Sequence, residues 1–453
     1  MRENRSSVFR IYDEAKRLFE DGDQGRELAK GMAGGFLLKG AAIVLGLGLN
    51  ILLSRVLGAS KYGTYIYAVS TILLLLVPAL LGFDRLLVRD ISAYSTKSEW
   101  GLFRGILRRS HQIVFLFSIL LAFLTSLIFF LIEPYLDSFD SNMLTVLWVA
   151  MPILPVFAFL RLRQSILQGL GRISLSHAGE MLFYPLLLLI FIIVFLNAGN
   201  RPLTAEIALL LNLIALALIL IYIWIKSHFS IPNEVLTATP RMLSKRWMKV
   251  ALPMLAVVSI QVINARVDIL MIGAMKGAKI AGIYSAANRG AVLVLIVLFA
   301  ANAAFAPIIA KHWATGELKR LQSIVKKVTR IGIIVAFPIA LALTFFGKYY
   351  LLLFGPEFIV GYESLIIMTI GQLVVVAFGS GNIILQMSGN ERAAAIGTGI
   401  SALVNIAMNL ILIPRYGMAG AATALVTGQV VSGLIILVMV KKKTGISMMQ
   451  FKF

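Results

Sequence analysis

The chain has 453 residues, 59% hydrophobic and only 14% charged, with no cysteine, whereas soluble domains average about 45–50% apolar and about 25% charged. That excludes an ordinary water-soluble protein, and the missing thiols exclude disulfides, thiolate catalysis, iron–sulfur clusters and cysteine zinc sites. The net charge of +21 would point to nucleic acid in a soluble chain, so its meaning depends on where the charges lie.

Residues 1–32 form a polar N-terminal segment, too long before the first apolar run to be a signal peptide. Within it Val8, Ile11, Tyr12, Ala15, Leu18 and Phe19 recur at helical spacing opposite Arg10, Lys16 and Arg17, which predicts a helix lying in lipid headgroups. Apolar runs of spanning length follow at 33–57, 62–87, 111–132, 143–168, 174–197 and 203–225. Six more lie at 249–275, 281–309, 331–354, 364–387, 392–413 and 417–440. Lipid offers the backbone no partner, so each run is expected to be a helix. The expected fold is all-α: a polytopic membrane protein of about twelve transmembrane helices.

Between the runs, 95–110 and 314–330 have mixed character and predict interfacial helices. Residues 227–247, with Pro232 and Pro240, read as a linker, and 441–453 as a basic tail. Placing the N-terminus on one side puts 31 Lys and Arg there and seven opposite, with Lys39, Arg85, Arg266 and Arg289 in or at the ends of spans. The positive-inside rule then puts both termini in the cytoplasm and explains the charge without nucleic acid, through contact with anionic membrane lipids.

The chain also repeats itself. Gly58, Ala59, Gly63 and Tyr65 recur as Gly277, Ala278, Gly282 and Tyr284, and Leu167, Gln168 and Gly171 as Leu385, Gln386 and Gly389. Six spans per repeat give both copies one orientation, hence two six-helix bundles, 33–226 and 248–440, about an axis along the membrane normal. Transporters built this way place substrate at the interface of the halves.

Ionisable groups in spans are costly and mark such interfaces. Arg266, Asp268 and Arg289 lie at a common depth, roughly 12–15 Å from the outer ends of their spans at about 1.5 Å per residue. Arg266 and Asp268 are about 200° apart around the helix, so only one of them faces a given cavity straight on. Arg266 and Arg289, with Asn264 and Asn288 nearby, are the expected substrate-binding groups, and an Asp268–Arg289 pair between helices is the alternative. Lys39, Arg161 and Arg163 form a second basic set that could receive a phosphate at the cytoplasmic entrance or anchor helix ends. Arg85 and Arg89 share a helix face, but Asp84 and Asp90 beside them predict local pairing. Guanidinium groups in a low-dielectric cavity suit phosphate oxygens, and a buried carboxylate, Asp268 or Glu180, could carry a coupling proton. No cofactor or metal is expected: His111, His177, His228 and His312 lack ligand spacing, and no phosphate-binding P-loop occurs.

The residues Leu53, Arg55, Gly58, Tyr62, Gly63 and Tyr65, followed by Gly82, Asp84, Arg85 and Arg89, resemble the opening signature of the polysaccharide transporter family. Gln168 to Arg172, Arg266 to Gly273, Ala281 to Arg289, Ala306-Pro307, Asn405 to Gly417 and Gly420 to Ala424 resemble the same family. The resemblance covers 33–440. It implies the multidrug/oligosaccharidyl-lipid/polysaccharide exporter fold and a non-enzymatic flippase for cell-surface polysaccharide such as O-antigen of lipopolysaccharide. Such a protein moves a polyprenyl-pyrophosphate-linked oligosaccharide across the inner membrane by alternating access, beside polysaccharide polymerase machinery. Lipid II flippases and multidrug exporters share the fold and remain alternatives. A membrane polymerase would be expected to carry a sizeable outer domain, and the longest outer loop, near 133–142, is too short for one.

Overall fold

The computed structural model describes residues 23–132, 141–199 and 202–448. The amphipathic stretch 8–19 and most of the loop 133–142 lie outside the described residues, as do the side chains of 23–39, Lys39 among them. Helix α1, Asp23–Leu80, is followed by α2, Phe83–Thr96, α3, Trp100–Ile132, α4, Ser141–Ala150, and α5, Ile153–Gly169. Then come α6, Ile173–Ala178, a π turn at Gly179–Phe183, α7, Tyr184–Ala198, α8, Ala205–His228, and the short α9, Asn233–Thr237. The second half holds α10, Ser244–Lys276, α11, Ala278–Val292, α12, Ile296–Ala314, α13, Leu318–Phe354, α14, Tyr362–Phe378, α15, Gly381–Met387, and α16, Glu391–Thr444.

Ten described stretches are long and apolar enough to cross a membrane. Two of them are hairpins. In α1, Gly58 takes φ 72°, ψ 171°, a conformation open to glycine and strained for other residues. Asn50 and Tyr62, about 18 Å apart in a straight helix, are joined by a 3.1 Å hydrogen bond from the Tyr62 hydroxyl to Asn50 Oδ1. In α16 the break is Gly417, at φ 55°, ψ −130°, which brings the Leu412 carbonyl within 2.3 Å of where a Gly420 Cβ would stand. Counting both limbs of each hairpin gives the twelve crossings expected. The predicted interfacial helices at 95–110 and 314–330 do not form as separate elements. Residues 100–110 and 318–330 are the opening turns of α3 and α13, which continue unbroken into the spans. No proline interrupts the sequence at either junction, so the helical hydrogen-bond ladder continues from headgroup depth into the span.

The internal repeat is visible in backbone detail. Gly277 adopts φ 87°, ψ 164°, matching Gly58. Gly171 and Gly389 have φ 78° and 75°. Around Gly171 the amides of Leu170, Gly171 and Arg172 bond the carbonyls of Ile166, Gln168 and Leu167. Those of Ser388, Gly389 and Asn390 bond Ile384, Gln386 and Leu385 in the same pattern.

The repeat-equivalent Gly63 and Gly282 meet each other: a Cβ on Gly282 would lie 2.7 Å from Gly63 Cα, and one on Gly63 would lie 1.9 Å from the Ala278 carbonyl oxygen. The two halves are therefore in backbone contact at the end of the molecule that carries Gly58 and Gly277. The apolar core of the first bundle continues into the second there, through Phe354, Phe358, Leu365 and Ala421. Toward its other end the second bundle has a separate core, including Ile309, Leu321, Ile384 and Ile436.

Arg55 fastens this closed end. Its Nε and Nη2 donate to the carbonyls of Leu353 and Leu352, each at 2.7 Å, and Ser54 Oγ donates to Phe354 at 3.1 Å. These carbonyls lie in the last turn of α13, where Leu352 also accepts from the Gly355 amide at 3.1 Å, and they carry the negative end of its dipole. Replacing Arg55 with Ala should separate the halves in a measurable fraction of molecules. Spin labels at the exposed Lys61 and Met275 should then report a longer, broader distance, and an unchanged distribution would show that Arg55 carries no share of the closure.

Candidate functional site

A cavity of about 280 Å³ lies between the first limb of α1 (Ala42, Gly46, Leu49, Asn50, Leu53), its second limb (Tyr65, Ile66, Val69), the π turn and start of α7 (Glu180, Met181, Tyr184, Pro185), and Arg289 of α11. Both bundles contribute. The folding of α1 at Gly58 is what sets its two limbs side by side, and the π turn adds a residue to the helical ladder beside the wall where Glu180 stands.

Polar groups around this enclosure form two hydrogen-bonded sets. Tyr184 donates to Asn212 Oδ1 at 3.2 Å, and Asn212 Nδ2 donates to the Tyr65 hydroxyl at 3.1 Å. Asn50 accepts from Tyr62 and donates to the Gly46 carbonyl at 2.6 Å. Tyr62 in turn lies against Arg289 and Ser285. The Nε of Arg289 is enclosed without a hydrogen-bond partner among the described residues. Arg266, half-buried on α10, is close enough to Arg289 for the two charges to repel. Neither guanidinium forms a salt bridge with a described carboxylate.

The carboxylates are otherwise engaged. Glu180 takes a 2.7 Å ion pair from Arg161 and a 3.1 Å hydrogen bond from Gln164 Nε2. Asp268, 4% exposed, accepts from Asn405 Nδ2 at 2.9 Å, Asn409 Nδ2 at 2.7 Å and the Tyr284 hydroxyl at 3.3 Å. The alternative Asp268–Arg289 pair does not form, because the carboxylate turns into the second bundle toward α16, where two amides one helical turn apart already satisfy it.

The structure thus brings Arg266, Arg289 and Glu180 toward one region and separates the others. Asn264 donates to the Thr398 carbonyl at 3.0 Å, tying α10 to α16, while Asn288 is half-buried beside Arg289 on α11. Arg161 and Arg163 part company: two residues apart on α5, they point about 200° from each other. Arg161 faces Glu180, whereas the Arg163 guanidinium lies over the Trp224 ring, 5.7 Å from its centre, beside lipid-facing surface. Arg85 and Arg89 pair locally with Asp84 and Asp90 at 4.0 and 2.7 Å. Sequence reasoning missed Tyr62, Tyr65, Asn50, Asn212 and Tyr184. The recurrence of Tyr65 as Tyr284 was a usable signal, since each hydroxyl anchors a buried amide or carboxylate in its own half.

Comparison with known proteins agrees with this architecture. The family model described as "Polysaccharide biosynthesis protein" matches residues 28–313, and the MatE model matches 253–411. An uncharacterised membrane protein of Methanocaldococcus jannaschii is 28% identical over 131 residues, 29% of this chain; the match spans only 26% of that relative's length. The structure of a lipid II flippase in an inward closed conformation superposes with a TM-score of 0.69 at 16% identity, covering 89% of this chain and 87% of that one. An inward-facing multidrug transporter gives a TM-score of 0.67 at 16% identity, covering 89% and 96%. These likenesses show the exporter superfamily fold.

Proposed function

Because the chain belongs to the polysaccharide biosynthesis protein family, with a family model matching residues 28–313, we propose that it is a flippase that carries a polyprenyl-pyrophosphate-linked oligosaccharide across the cell membrane by alternating access. The observation that carries this reading is the pair Arg266 and Arg289, two guanidinium groups within mutual repulsion and without a carboxylate partner among the described residues. Like charges in a low-dielectric site cost free energy unless an anion joins them, and a diphosphate supplies oxygens for both. Glu180 is answered by Arg161, so the region keeps an excess of positive charge, which disfavours export of organic cations.

In this mechanism the diphosphate and first sugar enter between the bundles, 33–226 and 248–440 joined by 227–247, while the polyprenyl chain stays in lipid. A cavity of about 280 Å³ sits below the about 300–1,000 Å³ of typical ligand sites, so the glycan requires a wider state than this one. Arg289 and Arg266 hold the diphosphate, Asn264 and Asn288 border it, and Lys39 and Arg161 meet it on the way in. Arg163 would act at the lipid-facing edge. Coupling falls to a proton carried by Glu180, supported by its place on the cavity wall, or by Asp268, supported by its full burial. Basic flanks support cytoplasmic termini, which makes the end closed by Gly63 and Gly282 the outer one. Lipid II and polymerase-coupled O-antigen units differ in the glycan, which these residues do not read.

The test is reconstitution into vesicles with a fluorescent polyprenyl-pyrophosphate oligosaccharide and a leaflet-specific quencher. Protein-dependent loss of protection is expected. Transport of organic cations with no movement of the lipid-linked sugar would overturn the proposal.

A further inference from the structure

A second cavity, about 500 Å³, lies elsewhere and shares no lining residue with the central one. Its walls are Arg89, Asp90, Ala93 and Tyr94 of α2, Lys97 and Glu99 of the following turn, Leu102 of α3, and Arg246 and Val250 from the first turns of α10. The two halves of the chain therefore face each other across it. They are also pinned beside it: Trp247 Nε1 donates to the Tyr94 hydroxyl at 3.0 Å, and that hydroxyl donates to Asp90 Oδ2 at 3.3 Å. Arg89 holds the other oxygen of Asp90 through Nε at 2.8 Å and Nη2 at 2.7 Å. Asp90 is thereby satisfied, and Nη1 of Arg89 is left over.

The side chains of Lys97 and Arg246 make no ion pair or hydrogen bond with a described residue. The helix that carries Arg246 begins without a side-chain cap and without an acidic residue in its first turn. Its orphan amides and positive dipole end are thus compounded by Lys245 and Arg246, against the usual preference for negative charge there. Three cations against two carboxylates leave the lining one positive charge in excess.

We propose that this cavity binds a single phosphodiester group, from a phospholipid headgroup or a soluble ester, between Arg246 on one wall and Lys97 with Arg89 on the other. A diester carries one negative charge, which matches the excess, and two free oxygens, which suit cations approaching from opposite walls. The Asp90 and Glu99 carboxylates oppose a dianion such as a phosphomonoester. Since the walls belong to different halves, the bound group tightens their approach at this place, and it binds best in the arrangement that brings Arg246 to Lys97. This site does not depend on the transport reading.

The test uses the full chain in detergent and native mass spectrometry, with phosphatidylglycerol, its soluble headgroup diester glycerophosphoglycerol, and diacylglycerol as the lipid without phosphate. Phosphatidylglycerol should bind and diacylglycerol should not. Arg246→Gln and Lys97→Gln should each weaken binding about tenfold or more, as expected for loss of one charged hydrogen bond, while Lys245→Gln should not. Equal binding of glycerophosphoglycerol identifies a soluble ester as the source, and binding of the lipid alone identifies the headgroup. If both glutamine variants bind as the native chain does, or if Lys245→Gln weakens binding equally, the attraction is a diffuse surface effect and the site does not exist. Lys97 is exposed on a turn, so its variant reports even if Arg246→Gln fails to fold.

Discussion

Arg289→Gln is expected to slow translocation of a polyprenyl-pyrophosphate oligosaccharide by about tenfold to a hundredfold. Removing one charged hydrogen-bonding group costs about 1.5–3 kcal/mol, which sets this range. Its Nε has no hydrogen-bond partner among the described residues and its guanidinium meets the Tyr62 hydroxyl and no described carboxylate, so thermal unfolding should change much less than transport. Arg289→Lys should recover part of the rate, because a point charge remains while the planar fork is lost. Arg266→Gln should act in the same direction, and the double variant should be less harmful than the product of the two, since both groups serve one anion. Native rates in Arg289→Gln would separate this residue from the substrate path.

Much of this arrangement was legible in the chain itself. Twelve apolar runs became twelve crossings because hydrophobic length is a direct physical requirement of a bilayer. The repeat of Gly58 as Gly277 was readable because a positive φ at a tight reversal admits few residues besides glycine. Local pairing of Arg89 with Asp90 was also foreseeable from adjacency.

What the sequence did not reveal was the choice among long-range partners. Asp268 could have met Arg289, and periodicity alone does not say that Asn405 and Asn409, more than 130 residues away, satisfy it first. Arg161 and Arg163 looked like one basic set because they are close in sequence, yet helical geometry sends them to opposite faces, one to Glu180 and one to Trp224. The opening turns of α3 and α13 were misread for a related reason. Their polarity marks depth in the membrane, and only the continuous hydrogen-bond ladder shows that the helix does not stop where the polarity changes.

Gly63→Leu should open the end of the molecule where the bundles touch. Even a methyl group at Gly63 would sit 1.9 Å from the Ala278 carbonyl oxygen, far inside van der Waals contact, and the obstruction is backbone, which cannot rotate away. Overpacking of this kind costs about 1–3 kcal/mol in a core that cannot yield. Here the two bundles can part instead, so the cost falls on the closed state alone and shifts the balance of states by about 5–150-fold. Spin labels at Lys61 and Met275 should move apart, and transport should fall because the cycle can no longer pass through this closed arrangement. Gly282→Leu should behave alike, and combining the two should add little, since one separation relieves both clashes. Gly171→Ala is the control. It strains a positive φ just as Gly63→Leu strains a contact, but a Cβ there meets nothing within 4 Å, so it should lower stability without changing the label distance. If Gly63→Leu leaves the labels where they were, the meeting of Gly63 with Gly282 is not a moving contact, and the halves are joined there permanently.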